Sequence, residues 1–120
     1  MSTDTQKYSV FFCGLSKNCI DTISNNLHFL TSFFNESEFE SYAIIVDSDS
    51  TDGTKERLAH FDQNNNNVVY EDFDYLENKY KNRIERIQLS RNKCIDLVSK
   101  FNNKKNIIYI PLDLDLDLFK

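Results

Sequence analysis

The chain has almost none of the residues that break or loosen a backbone: its 120 residues include two glycines and one proline. Domains are commonly joined by Gly-, Pro- or Ser-rich segments. With no such segment and no internal repeat, residues 1–120 read as a single domain with one core. The turn Cys13-Gly14-Leu15-Ser16-Lys17 is not a G-x-G-x-x-G turn, which argues against a dinucleotide-binding Rossmann enzyme. No apolar run approaches the length of a membrane span. The start, Met1-Ser2-Thr3-Asp4-Thr5-Gln6-Lys7, has no apolar signal-peptide core. Cysteine is sparse too. Cys13, Cys19 and Cys94 form an odd set without CxxC spacing and read as reduced, partly buried thiols of a cytoplasmic protein. Nor is there a basic excess: a net charge of −5 and a pI near 4.9 argue against nucleic acid or an anionic membrane as partner.

What the chain does have is an alternation of strands and helices. Tyr8 to Cys13 reads as a first strand ended by Gly14. Cys19 to about Phe34 reads as a helix, because Ile20, Ile23, Leu27, Leu30 and Phe34 recur on one face. Tyr42 to Val46 is a second strand, Thr51 to about Phe61 a short helix, and Val68-Val69-Tyr70 opens a third strand. Glu71 to Tyr80 shows no clear period and reads as loop. Arg83 to Phe101 is helical, and Ile107-Ile108-Tyr109-Ile110 opens a fourth strand that runs on towards the end. The order βαβαβαβ implies right-handed crossovers, hence a three-layer α/β/α sandwich with a mainly parallel, Rossmann-like sheet.

Three stretches carry candidate chemistry. The run Ala43-Ile44-Ile45-Val46 is a strand covered on both faces, and it ends in Asp47-Ser48-Asp49-Ser50-Thr51-Asp52-Gly53-Thr54. Ligands of open α/β sheets sit past the carboxyl ends of strands, where Asp47, Ser50 and Asp52 fall. Ser50 or Asp52 also suits helix capping, a role that leaves Asp47 unexplained. On the third long helix, Arg91 shares a face with Ile84, Ile87, Cys94, Ile95, Val98 and Phe101. A guanidinium there either snorkels along the sheet to solvent or needs an anionic partner, which would be Asp47 or Asp52 as an ion pair, or a ligand. Finally, Leu112-Asp113-Leu114-Asp115-Leu116-Asp117-Leu118 alternates with period two, so a strand aims its leucines at one face. Its carboxylates then lie on the other face, about 7 Å apart. Such a row of like charges suits either a solvated edge strand or a hard divalent cation.

Together these residues resemble the N-terminal half of a GT-A-fold glycosyltransferase, of the nucleotide-sugar-using type related to inverting family 2 enzymes. The resemblance covers almost the whole chain. It rests on Val46 to Thr54, similar to the family's V-[DE]-[DN]-x-S-x-D-G-T turn, with departures at Ser48 and Asp49. Leu89-Ser90-Arg91-Asn92 is similar to its (A/S)RN segment, and Leu112-Asp113-Leu114-Asp115 to its DxD. Phe12-Cys13-Gly14-Leu15 with Asn18-Cys19 looks like the start of a cytosolic or viral branch, which implies the cytoplasm or, for a virus, that of its host. The resemblance implies a nucleotide-sugar donor such as a UDP- or GDP-sugar. It places Asp47 and Arg91 at the nucleotide, with Ser50 and Asp52 in the binding turn and Asp113 at the ribose. Asp115 would ligate Mn²⁺ or Mg²⁺, with Asp115 and Asp117 as the other admissible pair.

A GT-A domain continues past its DxD with the acceptor site and catalytic base, so the resemblance implies a donor-binding half that is incomplete at its C-terminus. His28 and His60 are expected to pack or face solvent rather than act as base. The strand order implied is third, second, first, fourth. The outer edge of the fourth strand and the stripe Leu112, Leu114, Leu116, Leu118 are expected to recruit a second copy through residues 107–119. A phosphatase using a D-x-D nucleophile would carry that strand near its start. The non-enzyme alternative is a degenerate module of the same fold that binds without turnover.

Overall fold

The computed structural model describes residues 7–73, 76–101 and 106–114. In chain order the elements are β1 (Tyr8–Ser16), α1 (Ile20–Glu36), β2 (Glu40–Asp47), α2 (Thr54–Gln63), β3 (Val68–Asp72), the short α3 (Leu76–Lys79), α4 (Arg83–Ser99) and β4 (Asn106–Asp113). All three ladders are parallel and the sheet order is β3-β2-β1-β4, as the sequence led us to expect. Strands alternate their side chains between faces. Val10, Phe12, Ala43, Ile45 and Val68 therefore meet Ile23, Leu27 and Leu30 of α1 and Leu58 and Phe61 of α2. Phe11, Cys13, Ile44 and Val46 meet Cys94 and Val98 of α4 on the other face. The fold is a three-layer, Rossmann-like α/β/α sandwich. Among the described residues no helix is long and apolar enough to cross a membrane.

Five expectations need correction. Gly14 does not end β1. It lies inside the strand, and its missing side chain makes room for Leu114, whose Cδ1 would sit 2.9 Å from a Cβ built there. Gly14→Ala is accordingly expected to lose about 1–2 kcal/mol in urea denaturation, although alanine normally improves a strand interior. Second, α2 starts at Thr54 rather than Thr51, because residues 48–53 are held in a turn with Asp49 and Gly53 at positive φ (60° and 99°). Third, residues 71–80 are not all loop: β3 extends to Asp72, and α3 follows. Fourth, the buried stripe of α4 runs through Ser90, Cys94 and Val98, leaving Ile84 at 68% and Ile95 at 51% exposure. At 100° per residue, Ile84 and Ile95 fall beyond the Val98 edge of that stripe, with Arg91 at its margin.

The fifth concerns the leucine stripe. Leu112 and Leu114 are covered, packing into the α1 layer, and Leu114 is wholly buried; Leu116 and Leu118 lie outside the described residues. Among those residues β4 is an edge of the sheet. The Leu114 N–H donates to the Leu15 carbonyl at 3.3 Å, so alternate residues Ile107, Tyr109, Pro111 and Asp113 turn their backbone groups outward. Pro111 has no N–H to offer there, a placement suited to an edge strand. The edge expected to take a second copy thus carries a gap in its row of donors.

Candidate functional site

Reversal of strand order creates a crevice where the chain leaves β1 for β2 on one side and returns to β4 on the other. A cavity of about 170 Å³ lies there, at the carboxyl ends of β1, β2 and β4 and against the first turns of α4. Leu15, Val46 and Ile87 give it an apolar lining. Among the described residues its charged groups are Lys17, Arg83, Arg86 and Arg91, with Asp113 as the one carboxylate. In a chain of net charge −5 this is a local concentration of positive charge.

The α4 residues of this wall, at positions 83, 86, 87, 90 and 91, follow i, i+3, i+4, i+7, i+8 and form one helical stripe. The helix start is fixed by Asn82, whose side chain accepts from the Ile84 N–H at 2.8 Å and the Glu85 N–H at 3.3 Å. Arg86 donates through Nη1 to the Tyr80 carbonyl at 2.8 Å and the Lys81 carbonyl at 3.0 Å, tying the incoming loop to the helix. Arg91 Nη2 lies 3.7 Å from Asp113 Oδ1, with both side chains well exposed. Its anionic partner is therefore Asp113 and not Asp47 or Asp52, because its azimuth carries the guanidinium out to the cavity rim.

The carboxylate-rich turn is built differently. Asp47 is wholly buried at the last position of β2. Its Oδ1 accepts from the Ser16 and Ser50 hydroxyls, each at 2.6 Å, and its Oδ2 from the Ser50 N–H at 3.4 Å. Burial pushes its carboxyl above the ordinary range, opposed by these hydrogen bonds. Ser50 Oγ also accepts from the Asn18 N–H at 2.8 Å, and Asn18 Oδ1 accepts from the Thr51 N–H at 2.7 Å. Asp52 Oδ1 takes the Thr54 hydroxyl at 2.6 Å and its N–H at 3.1 Å, while Oδ2 takes the Ile20 N–H at 3.1 Å. The Thr54 hydroxyl bond is the main reason the Asp52 carboxyl titrates below its usual range. Thr54 Oγ1 in turn accepts from the Cys19 N–H at 3.1 Å. The β2–α2 turn thereby caps α1 as well as its own helix, supplying partners for backbone donors that a helix start leaves free.

The structure thus divides the predicted site residues into two sets. Asp47 and Ser50 with Ser16 and Asn18, and Asp52 with Thr54, form two hydrogen-bonded sets that together fasten the β1–α1 and β2–α2 loops. None of the three predicted residues lines the cavity. Arg91 and Asp113 do line it. Asp115 and Asp117 lie outside the described residues. Among the described residues no group of three or more His, Cys, Asp or Glu side chains is placed to hold a metal. His28 and His60 line a separate groove between α1 and α2. Sequence reasoning missed Lys17, Arg83, Arg86 and Ser90. The available signal was the recurrence of arginine at helical spacing in an acidic chain. Comparison of the chain with protein-family models, with curated proteins and with solved structures finds no match.

Proposed function

We propose that this chain binds the nucleoside diphosphate of a nucleotide sugar in the cavity at the β1/β4 crevice, as the donor-binding part of a glycosyltransferase. The observation that carries this reading is the convergence of Lys17, Arg83, Arg86 and Arg91 on a crevice at the strand carboxyl ends. Guanidinium groups bind phosphate oxygens through paired N–H donors, and the positive end of α4 adds to their field. The apolar patch of Leu15, Val46 and Ile87 suits the flat face of a base. The step to glycosyl transfer rests on the resemblance of the Val46–Thr54 turn and of Leu112-Asp113-Leu114-Asp115.

A divalent cation fits this arrangement in one respect. Mg²⁺-type sites commonly use one or two carboxylates and complete their shell with substrate phosphates and water. Asp113 is one such carboxylate, and Asp115 or Asp117 is the candidate second. The cation would supply charge neutralisation for the departing diphosphate. The chain's own basic residues would orient the same oxygens, and the buried Asp47 network would keep the β1 and β2 ends at fixed separation beneath them.

Titration calorimetry with UDP and GDP, in Mn²⁺ or in chelator, tests the reading. Binding is expected only with Mn²⁺, and Asp113→Asn should weaken it roughly tenfold. Equal affinity in chelator would remove the cation's role; no binding under either condition would remove the nucleotide. One observation favours the alternative of a binding module without turnover. Among the described residues Asp113 is the only carboxylate lining the cavity and no histidine lines it, and Asp113 is paired with Arg91. Nucleotide binding without hydrolysis or transfer of a bound UDP-sugar would support that module.

A further inference from the structure

Leu114 is held through its side chain, its N–H and its carbonyl alike. Its side chain fills the notch left by Gly14 and is wholly buried. Its N–H donates to the Leu15 carbonyl at 3.3 Å. Its carbonyl accepts from the Thr22 hydroxyl at 2.7 Å and from Asn26 Nδ2 at 2.9 Å, both on α1. Asn26 is itself wholly buried, an amide set in the leucine- and isoleucine-rich face that α1 turns to the sheet. Placing an amide there carries a desolvation cost that leucine would avoid. Through Nδ2 that amide holds the Leu114 carbonyl, directly after the Asp113 that lines the cavity.

Successive residues of a strand point to opposite faces. With Leu114 locked on the α1 side, the preceding residue, Asp113, is directed to the α4 side. There it lines the cavity and meets Arg91. We infer that Thr22 and Asn26 are positioning residues for the ligand site: acting from the opposite face of the sheet, they set the Asp113 carboxylate through the Leu114 carbonyl. This inference rests on the nucleotide reading of the cavity and adds to it a role for α1, which the cavity does not touch.

The test uses the whole 120-residue chain with UDP or GDP and Mn²⁺ as probe. Thr22→Val with Asn26→Leu removes both donors at nearly constant shape. The double variant is expected to bind roughly tenfold more weakly and to exchange the Leu114 amide proton faster. Thr22→Ser, which keeps the hydroxyl, should behave as the parent does. In an Asp113→Asn background the same double change should cost no further affinity, because its effect passes through that carboxylate. Unchanged affinity despite faster Leu114 exchange overturns the inference, and so does a loss fully additive with Asp113→Asn. Should the double variant fail to fold, Thr22→Val alone leaves Asn26 in place and is expected to weaken binding about threefold. A parent chain that binds neither nucleotide removes the nucleotide reading instead. The side-chain carboxyl carbon resonance of Asp113 then decides: a shift in Thr22→Val supports the positioning role, and no shift ends it.

Discussion

Asp47→Ala is expected to destabilise the fold by about 3 kcal/mol, while Asp47→Asn should stay within about 1 kcal/mol of the parent. The alanine leaves the Ser16 and Ser50 hydroxyls without their shared acceptor at a buried position. Asparagine retains an oxygen there, and its added amide hydrogens oppose only the longer Ser50 N–H contact, at 3.4 Å. The pH dependence gives a sharper contrast. Burial raises the Asp47 carboxyl, so the folded chain holds this proton more tightly than the unfolded one. Its contribution to stability is complete below the unfolded value near pH 4 and is lost as the pH rises through the folded value. Asparagine does not titrate, so Asp47→Asn should gain on the parent as the pH is raised from about 4. Urea unfolding of the three proteins across that range measures both effects. A variant that falls behind the parent as the pH rises would show that the ionised carboxylate is the stabilising form.

Arg91→Met should behave in the opposite way, with a large effect on binding and a small one on folding. The Arg91–Asp113 contact is 3.7 Å long between side chains that are 39% and 55% exposed. A pair of that kind is worth between nothing and about 1 kcal/mol. A guanidinium donating to phosphate oxygens contributes more, so affinity for UDP or GDP is expected to fall roughly 10- to 100-fold. Arg86→Met offers an internal contrast, since Arg86 holds the Tyr80 and Lys81 carbonyls and its loss should loosen the start of α4. Calorimetry and thermal unfolding on each variant separate the two. A stability loss in Arg91→Met with affinity unchanged would mark the residue as part of the scaffold.

The alternation of layers was legible because each strand is a short apolar run, and right-handed crossovers then imply a parallel sheet, while the order β3-β2-β1-β4 was an expectation carried by the family resemblance. Boundaries failed where tertiary contact overrode a local signal. Gly14 looks like punctuation, and only the approach of Leu114, distant in sequence, shows why the strand continues through it. The site was legible in part. Val46–Thr54 announced a loaded turn, but nothing local says whether a carboxylate points to a ligand or back into the protein; Asp47 does the latter. Arg91 and Asp113 were recognisable one by one, yet their pairing joins elements whose relative rotation no single segment encodes. The remaining cationic wall was hidden because Lys17 of the β1–α1 loop and Arg83 and Arg86 of α4 are ordinary polar residues until the crevice gives them a common focus.

The position of β1 between β2 and β4 also governs the order of events during synthesis. Of the described strands the first in chain order is central, and one of its two partners is the last in chain order. Thr22 and Leu114, bonded in the finished molecule, are 92 residues apart. A nascent chain can assemble β1, β2 and β3 early, leaving one side of β1 as an open edge until β4 arrives. Pairings this distant close slowly and keep an adhesive edge available to neighbours. The cavity shares that timing, since its walls come from both the first strand and the last. A chain made only as far as α4 lacks the β4 wall of the cavity, so ligand would stabilise the fold once β4 has paired without assisting the steps that precede it.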